Sequence, residues 1–362
     1  MLGRLGSKIR NVNRIEIRRP DDWHLHLRDG DMLAAVLPAT ARVFGRAIVM
    51  PNLKPPVRTV ADAHAYRDRI LAAMPEGSRF EPLMTLYLTE TTTLDDIRQA
   101  AESDFVHAVK YYPAGATTNS DSGVRDLERV YPVLEAMEKL GLPLLMHGEV
   151  TDGDIDVFDR EAVFIERHLQ KLREHFPELK MVLEHATTAD AIDFVESAPG
   201  PIAATITVHH LMYNRNALFE GGLRPHHYCL PLIKRERHRR ALVAAATSGS
   251  ERFFLGTDSA PHPKHAKESD CGCAGVYSAP SAIELYAEVF AAAGALDKLE
   301  AFASRHGPAF YGLEANADRI VLERSDRRVP EEVRCGKDVI VPLFAGQAPG
   351  WHVSEGASAR GN

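Results

Sequence analysis

The sequence has 362 residues, of which 45% are hydrophobic and 26% charged, and 43 basic against 50 acidic side chains leave a net charge of −7. That is the composition of a globular chain with apolar residues enough for one large core. The acidic balance gives no basis for a nucleic-acid partner, and no stretch reaches the roughly 18 apolar residues that a membrane-spanning helix needs.

The first twenty residues carry six basic side chains and one acid. No apolar run follows them, so no secretory signal is predicted, and residues 1–13 are expected to form a flexible basic extension. The first apolar run is WHLHL (23–27) within DDWHLHLRDG. An extended chain would put His24, His26 and Arg28 on one face, with Leu25 and Leu27 on the other. Two imidazoles there can grip a metal and a guanidinium can grip an anion; a plain polar strand is the other reading.

Seven more apolar runs follow: RAIVMPN (46–52), EPLMTLYLT (81–89), FVHAVKYYP (105–113), LPLLMHGE (142–149), LKMVLEHATT (179–188), PIAATITVHH (201–210) and RFFLGTDSAPH (252–262). Near-continuous apolar runs suit strands buried on both faces of a parallel sheet. Helical spacing of apolar residues is found between them over 59–74, 127–141, 160–176 and 188–197, with Gly141 placed as a C-cap, and again over 278–294. Eight strands alternating with helices predict an α/β fold, a (β/α)8 TIM barrel. No repeat or linker divides the chain, so one catalytic domain is expected over 1–362, with a polar, Gly/Ser-rich tail from about 350 that should be flexible. Four cysteines (Cys229, Cys271, Cys273, Cys335) fit a reducing cytoplasm. Cys271 and Cys273 are spaced CxC, a poor match to a zinc knuckle, and read as loop thiols.

In such barrels the active site lies at the C-terminal ends of the strands. Polar residues end the runs there: His24 and His26, Asn52, Lys110, His147, His185 and Asp258. Each has a plainer reading when taken alone: a structural histidine, a snorkelling lysine, a helix cap. Together they would all project into one barrel mouth. Imidazole and carboxylate suit Zn²⁺. Four histidines and an aspartate are more than one four-coordinate ion with an open position can use. Two ions would need a bridge, and a lysine ammonium has no acceptor to offer. Condensed with CO2 it would become a carbamate with two anionic oxygens, a modification that a sequence does not display.

The stretches WHLHLRDG, MPNLKPP, KYYPAGATTNS, MHGE, LEHATT, TVHHLMYNRN and LGTDSAPH together resemble the amidohydrolase superfamily, and within it the bacterial-type, single-function dihydroorotases. The resemblance covers most of the chain, leaving out the N-terminal dozen residues and the Gly/Ser tail. It implies reversible cyclisation of N-carbamoyl-L-aspartate to L-dihydroorotate plus water, the ring-closing step of pyrimidine (UMP) synthesis. It also implies two zinc ions per subunit. His24, His26, Asp258 and Lys110 as N6-carboxylysine would hold one; Lys110, His147 and His185 would hold the other. Asp258 would be the general acid–base group. Arg28, Asn52 and His262 would bind the substrate's α-carboxylate, and Leu230 and Ala274 would touch the ring through backbone groups. His26 and His147 also fall among the substrate-binding positions. YPAGATTNSDSG (112–123) reads as an ordinary loop or as a lid; the family has such a lid, and Thr117 and Thr118 match its substrate-bonding threonines. A cytoplasmic homodimer is expected, with small-molecule substrates, no nucleic acid and no membrane. Rival readings are a hydantoinase or allantoinase, a single-metal deaminase, and a scaffold that only binds a partner enzyme. Arg28 and Asn52 weigh against the first, Lys110 against the second, and the intact ligand set against the third.

Overall fold

The computed structural model describes residues 12–354. Its strands are β1 (Arg14–Arg18), then β2 (Asp22–Leu25), β3 (Arg46–Val49), β4 (Glu81–Tyr87), β5 (Val106–Tyr111), β6 (Leu144–Met146), β7 (Met181–Leu183), β8 (Ile202–Ile206), β9 (Phe253–Leu255), β10 (Arg319–Arg324), β11 (Val333–Cys335), β12 (Asp338–Ile340) and β13 (Trp351–Val353). Strands β2 to β9 form one parallel sheet in sequential order, and each of the eight predicted runs holds one of them. The sheet closes on itself just past the strand ends, where Asp258 N–H donates to His24 O (2.9 Å) and His26 N–H donates to Ser259 O (3.1 Å). This is the predicted (β/α)8 barrel.

Every barrel strand but one in two layers of side chains tells the same story of alternation. Ile48, Leu83, Ala108, Leu145, Val182, Ala203 and Phe254 pack together with Trp23 inside the barrel. The short helix His306–Tyr311 closes the floor, where Tyr311 stacks on Trp23 with ring centroids 4.4 Å apart. Two residues further along β5, β6 and β7, alternation brings Lys110, His147 and Glu184 to the same side, one layer higher. In β2 alternation alone would not do this, because Trp23 and His24 both face inward. Its pairing with β3 shifts register between Asp22 and Leu25, an irregularity of the kind that re-aims a side chain at a barrel rim.

The helices begin where the chain offers caps. Thr59 with Asp62 and Thr93 with Asp96 form capping boxes before Val60–Ala72 and Leu94–Glu102, and Thr188 caps Ala189–Ser197. Gly141 ends Tyr131–Leu140 at φ 71°, as expected. The 160–176 stretch is continuous but includes a π-helical turn, Ile165–Leu169.

Strands β1, β10 and β13 form a separate antiparallel sheet, and β11 pairs with β12; none of these was expected. Here one reading needs correction: Trp351–Val353, placed in a flexible tail, is a strand on β10 with Trp351 fully buried. Trp351 also stacks under the Arg324 guanidinium, 4.2 Å from its ring centroid. The rest of the tail (355–362) and residues 1–11 of the expected extension lie outside the described residues.

Candidate active site

At the C-terminal mouth of the barrel lies a small, polar-lined pocket. Of the residues singled out in the sequence, His24, His26, Arg28, Asn52, Thr117, Thr118, His147, His185, Leu230, Asp258 and Ala274 line it. Lys110 lies beneath, fully buried, and His262 lies behind Arg28, with its Nε2 3.1 Å from Arg28 Nη2.

Hydrogen bonds decide which nitrogen each imidazole presents. His24 Nδ1 is 2.8 Å from Glu184 Oε2, an oxygen that also accepts from Thr205 Oγ1; to the ionised carboxylate Nδ1 is the donor and Nε2 is a bare lone pair. Asn52 Nδ2 donates to Thr118 O (3.0 Å), which turns its Oδ1 toward His26 Nδ1 at 2.9 Å. Arg28 Nη1 is farther from the same nitrogen, at 3.4 Å, so the shorter bond to Asn52 sets Nδ1 as the donor and leaves His26 Nε2 bare as well. His147 Nε2 donates to Glu149 Oε2 (2.7 Å), leaving Nδ1 as its lone pair. Burial holds His24, His26 and His185 well below the usual imidazole range, so none of these rings gains a second proton.

The consequence is electrostatic. His24 Nε2 and His26 Nε2 are 3.3 Å apart and lie 3.4 and 3.1 Å from Asp258 Oδ1. Three electron-rich atoms converge with no hydrogen between them, an arrangement that a cation resolves. These three residues form a potential metal-binding group. The His185 ring lies between those of His24 and His147, at centroid distances of 5.0 and 4.8 Å. Among the described residues His185 Nδ1 has no hydrogen-bond partner, nor has Lys110 Nζ. The Lys110 ammonium faces the Tyr112 ring, 5.0 Å from its centroid, but a buried amine with no hydrogen-bond acceptor is costly, and burial pushes Lys110 down to about 8. The residues present therefore fit a metal centre that takes up the lone pairs and the lysine together.

The backbone is bent to deliver these groups. Arg28, His185 and Asp258 all have left-handed conformations, with φ of 58°, 43° and 43°. Non-glycine residues in that region carry strain, which persists where surrounding contacts impose it. The extended alternation expected for His24, His26 and Arg28 does not hold, because β2 ends at Leu25 and the chain turns at Arg28. Arg28 still reaches the mouth, with Nε donating to Pro261 O (3.2 Å). Gly256 lets β8 and β9 approach: a Cβ there would lie 2.7 Å from Thr205 Cβ and 3.1 Å from His24 Cβ.

The 112–124 loop folds over the pocket. Val124 N–H donates to Tyr112 O (2.9 Å), Thr118 Oγ1 to Ala274 O (3.3 Å), and Asn119 Nδ2 to Asn52 O (2.9 Å). His262 Nε2 also lies 3.0 Å from Ala274 O, and burial pushes this ring down to about 2.

The sequence did not single out the acids that stand behind the candidate site residues. Glu184 holds His24 and also accepts from Thr205 Oγ1 (2.6 Å), while Thr205 Oγ1 accepts from His185 N–H (2.7 Å). Asp22 accepts from Thr257 N–H (2.8 Å) and Thr257 Oγ1 (2.6 Å), next to Asp258. Glu161 accepts from Thr187 and Thr188 just after His185. The signal was available in the first two cases: a carboxylate directly beside His185 in LEHATT, and one two residues before His24 in DDWH.

Comparison with known proteins bears on this site. Residues 21–321 match the model of the amidohydrolase family. The chain is 67% identical to a dihydroorotase of Cupriavidus pinatubonensis over 340 residues, 94% of this chain and 99% of that protein. It is 62% identical to one from Microcystis aeruginosa over 344 residues, 95% of this chain and 100% of that protein. Among solved structures, the dihydroorotase of Saccharomyces cerevisiae in complex with 5-fluoroorotic acid superposes with a TM-score of 0.87 at 36% identity, covering 95% of this chain and 99% of that one. That of Campylobacter jejuni gives 0.87 at 38%, covering 95% and 98%. An L-hydantoinase from Arthrobacter aurescens (0.73 at 13%, covering 92% and 86%) shares the fold.

Proposed function

Because the chain belongs to the amidohydrolase family, and within it to the dihydroorotases, we propose that this barrel mouth interconverts N-carbamoyl-L-aspartate and L-dihydroorotate with the help of two zinc ions. The observation that carries the metal reading is the convergence of bare lone pairs from His24, His26 and Asp258 beside Lys110, whose ammonium has no hydrogen-bond acceptor among the described residues. His24, His26 and Asp258 would hold one ion, His147 and His185 the other, and Lys110, carboxylated on Nζ, would serve both. Two such cations supply Lewis acidity toward the scissile carbonyl and make water a nucleophile near neutral pH.

The chain's own residues do the rest. In the hydrolytic direction the ring amide C–N bond breaks and water adds to the carbonyl carbon. The Asp258 carboxylate takes the proton of the attacking water and returns it to the departing ring nitrogen. In the ring-closing direction the same carboxyl accepts the ureido N–H proton and gives it to the oxygen that leaves as water. Arg28 pairs with the substrate's α-carboxylate, with Asn52 and His262 beside it. Thr117 and Thr118 close over the ring from the loop and exclude water. Leu230 and Ala274 meet the ring edge with backbone groups.

No described helix is long and apolar enough to cross a membrane. A cytoplasmic homodimer of single barrel domains is the accompanying proposal, drawn from the resemblance. The direct test is turnover of both substrates alongside metal analysis. Activity in both directions with close to two zinc ions per chain is expected. A fully active preparation with no more than one bound ion would sink the binuclear centre.

A further inference from the structure

Lys267 is buried, yet no carboxylate is among its hydrogen-bond partners in the described residues. Its ammonium donates instead to three main-chain carbonyls: Tyr228 O at 2.8 Å, Cys273 O at 2.7 Å and Gly275 O at 2.8 Å. All three donors of the ammonium are thereby used. Burial pushes the group down only to about 8, so it keeps its charge and its third donor near neutrality.

The three carbonyls are well placed. Tyr228 lies two residues before Leu230, and Cys273 and Gly275 flank Ala274, whose segment lines the pocket. A further bond, Gly275 N–H to Tyr228 O at 3.0 Å, ties the two segments to each other. In a trans peptide the C=O and N–H point in opposite directions. Drawing the Cys273 carbonyl onto Lys267 therefore aims the Ala274 N–H away from it, and the described residues offer that N–H no acceptor. The Ala274 carbonyl meanwhile receives Thr118 Oγ1 from the loop. Cys273 itself sits at a left-handed φ of 33°, a conformation that needs outside support.

We propose that Lys267 is a positioning residue for substrate, its ammonium holding the 228–230 and 273–275 segments so that the free Ala274 N–H meets a carbonyl on the edge of a cyclic ureide. The proposal rests on the dihydroorotase reading above. It assigns Lys267 no contact with the reacting atoms.

The test uses the zinc-loaded enzyme and 5-fluoroorotic acid as a non-reacting ring probe. Lys267→Met and Lys267→Gln are compared with the parent for probe affinity by calorimetry, for KM and kcat on L-dihydroorotate, and for zinc content. Lys267→Met should weaken the probe by about tenfold or more and raise KM by a similar factor, with kcat changed much less and zinc content held. Lys267→Gln keeps two donors without the charge and should fall between; it also carries the test if the Met variant does not fold. A folded variant that melts earlier yet binds the probe as the parent does would overturn the proposal, since a purely structural lysine predicts that split. A parent that neither binds the probe nor turns over dihydroorotate would overturn the functional reading instead.

Discussion

Replacing Glu184 by alanine removes one oxygen on which two ligand-bearing segments depend. Its Oε2 accepts both His24 Nδ1–H (2.8 Å) and Thr205 Oγ1–H (2.6 Å), and Thr205 in turn receives His185 N–H. All of these groups are buried, so each orphaned donor should cost about 1–3 kcal/mol of stability. The functional effect is separate. Without its acceptor the His24 ring is free to carry its proton on Nε2, where it has no lone pair for a cation. Loss of a carboxylate behind a ligand histidine typically weakens metal binding by about 10–100-fold. Chelator competition followed by zinc analysis should show a loss in that range for Glu184→Ala, with kcat falling at limiting zinc and recovering in part at excess. Glu184→Gln separates hydrogen bonding from charge. Oε1 of Glu184 has no hydrogen-bond partner among the described residues, so an amide can keep its oxygen toward His24 and Thr205 and put its nitrogen where Oε1 lies. It should stay much nearer the parent. Parental zinc affinity in a folded Glu184→Ala enzyme would refute the argument.

Lys110→Ala should lose most activity and bind less than two zinc ions per chain, and short carboxylic acids should restore part of both by supplying bridging oxygens; full activity without them would make the lysine structural. Arg28→Met should keep its zinc and raise KM about tenfold or more, since a charge-assisted hydrogen bond contributes roughly 1.5–3 kcal/mol; loss of zinc at unchanged KM would reverse the assignment. The Thr117→Ala, Thr118→Ala double variant should lower kcat as well as affinity in both directions with little change in melting temperature or zinc content, and parental kinetics would make the loop an inert connector.

All eight barrel strands were legible because a strand buried on both faces has to be apolar almost throughout, and the polar residue that ends each run then stands out. The site residues at those ends were legible for the same reason. How they reach the pocket was not. A register shift in β2 and left-handed turns at Arg28, His185 and Asp258 set aside the simple alternation that a sequence suggests. Glu184, Asp22 and Lys267 escaped notice because their partners lie on other strands or are backbone carbonyls. The helix Gly30–Val43 was missed; it contains Pro38, a residue that argues against a helix. Strands β1 and β13 are short and gain their meaning only from β10, far away along the chain.

That pairing bears on the order in which the molecule is made. A chain emerging from the ribosome presents β1 and the His24 strand before the rest of the barrel, but β1 stays an unpaired edge until Arg319–Arg324 appears. The seam that brings His24 to Asp258 likewise waits for the last barrel strand. A nascent polypeptide cut short before β9 carries five of the six proposed zinc ligands and still lacks the carboxylate at which His24 and His26 converge. Metal capture is thus expected only once β9 has been made, and chains stalled earlier would expose a sticky strand rather than a partly assembled site.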